Sequence, residues 1–348
     1  MATDTERLAT SELADLLPAV RAGDRLKRID CVRLWRTADL TSLGVLANLV
    51  RERVSGNDTF FRSSIHLNAT GAPVPACPEC SAQSAPGRSA LTLEDLDSFL
   101  SGIDSGFRGE LHLTGGAGPS AGVDGLCRLL ERIVSTRPHL KLRAFTWQEL
   151  ESAAAVDGKT AAQVLSALVN AGLTSLAGGA LVDLSHVRPN LSPEDISVME
   201  RRMPWIQAAA ELKLTCELSW IFGDGDDPEL LTDTLFCIRG IQDHRTIFEN
   251  FVPLVFQWPS GNLELPMPTG YNHLRAVAIG RLFLDNISRI RSSPSSVGEP
   301  MAQVAQWYGA DDAGSVSPDG GWALKCAGMR RERLASLIRE AGRDPAEI

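Results

Sequence analysis

Two closely spaced cysteines, Cys77 and Cys80, are the clearest candidates for chemistry in this sequence. They stand in a Cys-Pro-Glu-Cys step inside the stretch IHLNATGAPVPACPECSAQS, residues 65–84. Thiolates at this spacing bind zinc or an iron–sulfur cluster, but either site needs further ligands, and no second C-x-x-C is present. The alternative is a pair of loop thiols. The other cysteines are scattered, and we expect them to be buried, reduced thiols: Cys31, Cys127, Cys216, Cys237 and Cys326.

A histidine and an asparagine alternate in the apolar run SSIHLNAT, which precedes the cysteine step. His66 and Asn68 therefore project from the same face if this run is a strand. In that position His66 could hydrogen-bond a ligand, or it could be an interior residue whose hydrogen bonds are satisfied within the protein.

Two acidic groups could also do chemistry. The segment GDGDDPE suggests a cation site, but carboxylates followed by Pro228 are equally typical of a helix start. The segment GADDAGSV carries a pair that could act as acid and base if one member were buried, and here we expect a cap or loop instead. The residues in question are Asp224, Asp226, Asp227, Asp311 and Asp312.

Short apolar or alternating runs recur ahead of helical segments and would position these residues. The runs are SSIHLNAT, GELHLTG, LKLRAFT, GLTSLAGG, LKLTCELSWIFG and NFVPLVFQ. Because strands that alternate with helices form right-handed βαβ units, this order predicts a parallel sheet. The count favours a (β/α) barrel over an open doubly wound sheet, since no early G-x-G-x-x-G turn is present. The loop that carries the cysteines would then lie at the carboxyl end of the strands, where barrel enzymes work.

The predicted fold is thus an α/β, TIM-like (β/α) barrel within a longer chain. Helical spacing in TSELADLLPAV and DLTSLGVLANLVRERV predicts a helical lead-in over residues 1–58. The barrel would span residues 59–290. Residues 291–348 would form a helical C-terminal extension that closes the barrel.

Composition excludes several classes of function. The net charge of -9 argues against a nucleic-acid surface, which needs clustered Lys and Arg. No apolar run approaches the roughly 20 residues that span a bilayer. The first residues are polar and acidic and lack the features of a signal peptide. We therefore expect a cytoplasmic protein with neither a membrane nor a nucleic acid as its partner.

Long stretches of the chain resemble aminofutalosine synthase, a radical S-adenosylmethionine (SAM) enzyme of the futalosine route to menaquinone. The chain is similar more distantly to dehypoxanthine futalosine cyclase and to the tyrosine-using subunit of deazaflavin synthase. The runs that carry the likeness include DLTSLGVLANLVRERVSGNDTFFRSSIHLNAT, LTGGAGP, RAFTWQELESAA, NAGLTSLAGGA and PTGYNHLRAVAIGRLFLDNI. The resemblance implies a radical-SAM-type barrel, with SAM and a [4Fe-4S] cluster as cofactors.

The cluster motif departs from the family at its first ligand. In the family, C-x-x-x-C-x-x-C supplies three thiolates to the cluster, and Cys77 and Cys80 match the second and third. The first falls on Pro73, which has no side-chain ligand atom. Glu79 also stands where the family usually has an aromatic residue beside the adenine of SAM. The resemblance thus points to a degenerate cluster motif, in which Cys77 and Cys80 are metal ligands only if a cluster is retained.

Other positions of the family's pocket are matched in part. The resemblance implies two candidate catalytic residues, His66 and Glu149, both at polar positions that line the barrel. Asp183 lies one place beyond the family's glutamate position, which is Val182 here. The implied cofactor-binding residues are Gly115, Gly116, Asn68, Thr70 and Asp183.

These features support three hypotheses, and they leave open whether the chain is an enzyme. The first is a degenerate homologue that does not cleave SAM in the standard way. It would assist a cluster-bearing paralogue as an auxiliary subunit, or bind a nucleoside-like or aromatic molecule. The second is an active radical SAM enzyme with unusual cluster ligation, which adds a 5′-deoxyadenosyl radical to an enolpyruvyl-benzoate-like substrate. The third is a non-redox enzyme that uses His66 and Glu149 as acid and base.

Overall fold

A computed structural model describes most of the chain. The described residues are 8–68, 92–115, 122–180, 199–200, 202–223, 226–255, 269–317 and 329–348. Within these ranges, none of the helices combines the length and hydropathy that crossing a bilayer requires.

Parallel strands and helices alternate along the chain. The strands are β1 (Asp58–Asn68), β2 (Glu110–Thr114), β3 (Lys141–Thr146), β4 (Ser175–Ala180), β5 (Cys216–Phe222), β6 (Phe248–Val255), β7 (Arg289–Ile290), β8 (Asp312–Val316) and β9 (Asp344–Glu347). The helices are α1 (Leu17–Ala22), α2 (Arg28–Arg36), α3 (Leu40–Ser55), α4 (Leu93–Gly102), α5 (Val123–Thr136), α6 (Trp147–Asp157), α7 (Ala161–Asn170), α8 (Met203–Glu211), α9 (Pro228–Arg245), α10 (Gly270–Phe283), α11 (Pro294–Val297), α12 (Glu299–Ala305) and α13 (Arg331–Glu340). All six strands expected from the sequence are present.

The strands form a barrel, as the sequence predicts. Their order is β7-β6-β5-β4-β3-β2-β1-β8, and every pairing in this order is parallel. Strand β9 pairs with the amino end of β1. A parallel bridge between Arg291 and Asp312 links β7 to β8. Two main-chain bonds support this bridge, from Asp311 N to Ile290 O and from Ser292 N to Asp312 O. This single bridge brings the two ends of the sheet together, so the barrel is nearly closed.

Helix ends follow local sequence chemistry. Asp39 accepts a hydrogen bond from Ser42 N at the start of α3. Asp227 does the same for Glu229 N at the start of α9, where Pro228 occupies the first turn. The helix-start interpretation of GDGDDPE is therefore confirmed for Asp227.

The segment 291–348 contributes more than helices. It holds strands β8 and β9 in addition to α11–α13. The expectation of a cap or loop at GADDAGSV is wrong, because Asp312 begins β8 and both Asp311 and Asp312 are buried. Asp311 pairs with Arg281 at 2.5 Å, which offsets the cost of burying its charge.

Apolar packing between the strands and the outer helices forms the core. An aromatic group joins the lead-in to the barrel: the ring of Trp35 in α2 lies 5.8 Å from Trp220 in β5, and Trp220 stacks on Phe222 at 5.1 Å. The lead-in is thus packed onto the barrel wall and leaves the barrel interior to polar residues.

Candidate functional site

The carboxyl ends of β1 and β2 bring several predicted site residues to one edge of the barrel. His66 is the register partner of His112, and Asn68 that of Thr114. Gly115 follows β2 with φ of 71°, a conformation that favours glycine. The other residues implied by the resemblance lie outside the described residues: Gly116, Thr70, Asp183, Cys77 and Cys80.

A pair of histidines faces the barrel interior. The rings of His66 and His112 lie 4.6 Å apart, and both are partly exposed. His66 Nε2 lies 3.0 Å from Ser64 Oγ and 3.3 Å from Ser315 Oγ, so hydroxyls on β1 and β8 orient its ring. Ser315 belongs to the strand that closes the barrel.

Both histidines favour the neutral form. Burial lowers the pKa of His66, although the charges of Glu217 and Glu110 oppose this shift. Burial, followed by the charge of His66, lowers the pKa of His112 well below its ordinary value. Near neutral pH the pair therefore presents two uncharged imidazoles that can accept or donate hydrogen bonds.

A network of charged and amide groups lies deeper in the barrel; we call Glu217, Asn250, Arg291 and Asp312 the central network. Arg291 contacts Glu217 at 2.5 Å and reaches both carboxylate oxygens of Asp312 at 3.1 Å. Asn250 Nδ2 donates to the same two carboxylates at 3.2 and 3.3 Å. The network joins β5 and β6 to β8, so it supports closure of the barrel as well as its polarity.

Arginine charges keep Glu217 ionised. Burial alone would raise the pKa of Glu217, but Arg291 and Arg143 outweigh burial and hold that pKa well below its ordinary value. Glu217 therefore accepts hydrogen bonds and offers no proton near neutral pH.

A second charged layer crosses the barrel toward the amino ends of the strands; we call Arg62, Glu110, Arg143 and Glu249 the floor. Arg143 bonds to Glu110 at 2.8 Å and to Glu249 at 2.7 Å, and also donates to Leu176 O at 3.2 Å. Arg62 shares both carboxylates at longer distances, 3.8 and 3.4 Å.

Glu149 has a structural role that its position explains. It is the third residue of α6, and its carboxylate accepts from Thr146 N and Oγ1 at 2.8 Å each, as in a capping box. The preceding Phe145 is buried with φ of 63°, a costly conformation for a residue with a side chain. Glu149 lies after β3, at the same end of the barrel as His66, and its predicted catalytic role stays a prediction.

Four other cysteines lie within the described residues. Cys31 and Cys216 are buried, whereas Cys127 and Cys237 are partly exposed, and all four are free. Burial raises the pKa of each thiol, that of Cys31 to about 12, so these groups stay protonated near neutral pH. Three of them belong to helices, α2, α5 and α9, and the fourth lies at the amino end of β5. Cys326 lies outside the described residues.

Sequence reasoning missed most of this interior. His112 occupies the same alternation in GELHLTG that singled out His66 in SSIHLNAT, and Glu110 and Glu217 are likewise charged residues within apolar runs. These positions could therefore have been predicted from the sequence. Asp312 was considered as an acid or base, but Arg291 was not, because the pairing of these two residues depends on contacts that closure of the barrel creates.

Comparisons with known proteins agree on one family. A family model described as the CofH/MqnC C-terminal region matches residues 247–346. Aminodeoxyfutalosine synthase from Streptomyces coelicolor is 29% identical over 363 residues, which cover 96% of this chain and 91% of that protein. The 5-amino-6-(D-ribitylamino)uracil–L-tyrosine 4-hydroxyphenyl transferase from Methanoculleus marisnigri is 30% identical over 364 residues, covering 94% and 95%.

The solved structure of methylornithine synthase has the same architecture. It matches with a TM-score of 0.67 and 17% identity, over 95% of this chain and 97% of that one. An identity this low supports the fold and no finer conclusion.

Proposed function

The chain belongs to the radical SAM family that contains the aminodeoxyfutalosine synthases and 4-hydroxyphenyl transferases, and we propose that it is a degenerate member of that family. In this proposal it does not carry out standard reductive cleavage of SAM. Its polar barrel interior binds a nucleoside-like or aromatic molecule, alone or beside a cluster-bearing paralogue.

The incomplete set of cluster ligands carries the proposal. Pro73 stands where the family has its first cysteine, so only Cys77 and Cys80 remain in the loop. A site-differentiated cluster needs three thiolates, and two do not hold one.

The histidine pair supports the binding role. Two neutral, partly exposed imidazoles at 4.6 Å offer flat faces on which an aromatic ring or nucleobase can pack. Ser64 and Ser315 hold one of these rings in place, and the carboxylates of the central network lie deeper in the interior. A flat ligand with hydrogen-bond donors on its edge suits these surroundings.

Iron and sulfide content of protein purified and reconstituted without oxygen tests the loss of the cluster. We expect far fewer than the roughly four irons and four sulfides of an intact cluster, and no 5′-deoxyadenosine from SAM. A full cluster together with 5′-deoxyadenosine would contradict the proposal.

Calorimetry on iron-free protein tests the binding role separately. We expect saturable binding of adenosine or SAM, weakened up to about tenfold in His112→Ala because a ring contact is lost. His139→Ala is the matched control, since His139 is exposed and outside the barrel interior. Equal binding by both variants would remove the histidine pair from the proposal. Co-purification from the native host tests the auxiliary-subunit form, and a chain that always elutes alone would count against it.

Similarity to enzymes over nearly the whole chain favours a second candidate, an active radical SAM enzyme with unusual cluster ligation. It would need one more ligand besides Cys77 and Cys80, and the candidates are His66, Glu79 and a partner chain. Replacing Cys77 and Cys80 together by alanine should then abolish cluster and activity at once. Activity that survives this double replacement would eliminate the second candidate.

A further inference from the structure

A cavity of about 450 Å³ opens at the amino end of the barrel, opposite the end that carries the histidine pair. Its wall comes from the first residues of β2, β3, β4, β6 and β7, together with Arg62 of β1 and Thr215 just before β5. Its volume is that of a small-molecule site. Along β1, Arg62 lies four residues before His66, which places the cavity about 13 Å from the histidine pair.

Cations outnumber carboxylates in this cavity. Its lining contains five cationic side chains and two carboxylates, an excess of three positive charges: Arg62, Arg108, Lys141, Arg143 and Arg289 against Glu110 and Glu249. A concave surface of one sign concentrates its potential on a small volume.

The two carboxylates are already engaged in the floor of the cavity. Arg143 bonds to both, Arg62 shares both, and Thr215 Oγ1 donates to Glu249. Burial alone would raise the pKa of Glu249, but Arg143, Thr215 and Arg62 outweigh it and hold that pKa below its ordinary value. The floor is therefore a layer of side chains that are fixed by their ion pairs.

The remaining three cations have no carboxylate partner among the described residues. Arg108 donates only to the main-chain oxygens of Ser105 and Phe107, at 2.7 and 3.1 Å. Arg289 lies over the ring of Phe60, with its guanidinium carbon 3.3 Å from the ring centre. Lys141 is exposed at the start of β3 and forms no ion pair within the described ranges. All three line the same cavity. The charges of the floor cancel, because its two arginines pair with its two carboxylates.

We propose that this cavity binds a small oxyanion with at least two negative charges, held by Arg108, Lys141 and Arg289. Guanidinium groups bind phosphoryl and carboxylate oxygens through paired hydrogen bonds, and the lysine adds a compact charge. Threonine and serine hydroxyls of the wall, including Ser175 and Ser288, supply neutral donors. This site is separate from the histidine pair and does not depend on the proposed function.

Calorimetric titration of the full chain at low ionic strength tests the site, with inorganic phosphate, pyrophosphate and citrate as separate probes. We expect saturable binding of one anion per chain, which weakens as salt is added. Preference for phosphate and pyrophosphate would assign the ligand to the phosphoryl class, and preference for citrate to the polycarboxylates. Absence of saturable binding by all three probes would overturn the proposal.

Three single variants locate the site. Lys141→Ala, Arg108→Ala and Arg289→Gln should each weaken binding about tenfold, since each removes a charge-assisted contact. Arg21→Ala removes an exposed positive charge at the end of α1 and is the matched control. Equal weakening by Arg21→Ala would show attraction to overall charge alone and would also overturn the proposal. Lys141 and Arg108 are exposed, so their truncation leaves the fold intact, and circular dichroism of each variant verifies this.

Discussion

Two regions of the barrel interior, the charged layers and the histidine pair, differ in the contacts that hold their polar groups. In the floor and the central network, arginines face carboxylates at 2.5 to 3.8 Å, and the groups are ionised and fixed by several strands. At the histidine pair, near the carboxyl end, both rings are neutral, partly exposed and oriented by hydroxyls. The first region holds the strands of the barrel together, and the second lies toward the carboxyl ends of β1 and β2.

Under the proposed function, this difference explains how the barrel keeps its fold without the first cluster ligand. The ion pairs that join β2, β3, β5, β6 and β8 are formed by Glu110, Arg143, Glu217, Glu249, Arg291 and Asp312. None of these residues belongs to the segment between β1 and β2 that contains Pro73. Chemistry at the carboxyl end is therefore free to change while the lower layers hold the strands together.

The largest effect is expected from breaking the central network. Replacing Arg291 by methionine would leave Glu217 and Asp312 buried without their shared cation, and their side chains are only 8% and 1% exposed. Removing one partner of a buried ion pair costs about 3–5 kcal/mol of unfolding free energy. Urea unfolding followed by circular dichroism measures this loss.

Arg25→Met is the matched control for that experiment. Arg25 also pairs with two carboxylates, Asp243 and Asp285, but its side chain is 43% exposed. The expected loss is below about 1 kcal/mol, because water screens exposed pairs. Equal losses in the two variants would show that the central network does not stabilise the barrel more than a surface pair does.

An intermediate effect is expected from pH. Burial lowers the pKa of His66, His112 and His273 in the folded protein, that of His273 to about 4. The unfolded chain binds protons near the ordinary histidine pKa of about 6.5, so it binds more protons than the folded chain below that pH. The unfolding free energy should therefore fall as pH drops from about 6.5 toward 5. Protonation of the carboxylates with lowered pKa also reduces the unfolding free energy, but only below about pH 4.5. The loss between about pH 6.5 and about pH 5 is therefore due to the histidines.

Comparing unfolding at about pH 7.5 and about pH 5 in variants sharpens this assignment. His112→Gln should lose less stability on acidification than the natural chain, because the group that resists protonation is gone. His139→Gln should keep the natural pH dependence, since His139 is exposed. An unchanged slope in His112→Gln would mean that His112 is not held neutral in the folded protein.

The sequence predicts strands β1–β6 of the barrel but not β8, the strand that completes it. The alternation of apolar residues in strands β1–β6 can be recognised in the sequence, and helix starts such as Asp227-Pro228 follow local rules. By contrast β8 reads DAGSV, with an acidic residue and a glycine in five positions, which indicates a loop. Its extended form depends on pairing with β1 and on the contact of Asp312 with Arg291.

The same limit applies to the site. Polar residues within alternating runs, such as His66, can be found from the sequence because their neighbours define a strand. The burial of Asp311 cannot, because its partner Arg281 lies thirty residues earlier along the chain, in α10. Ion pairs between distant elements require the fold, and they decide which acidic residues are ionised.

The smallest change in unfolding free energy is expected from replacing Glu149, and this replacement distinguishes a capping role from a catalytic one. Its carboxylate closes a capping box with Thr146, and glutamine can make the same bonds. Glu149→Ala should cost about 1 kcal/mol of unfolding free energy, whereas Glu149→Gln should stay within about 0.5 kcal/mol of the natural chain. Urea unfolding measures both, and calorimetry with adenosine follows ligand binding in the same variants. If Glu149→Gln keeps its stability but loses binding or activity, the carboxylate acts on the ligand, because the cap alone does not need its charge.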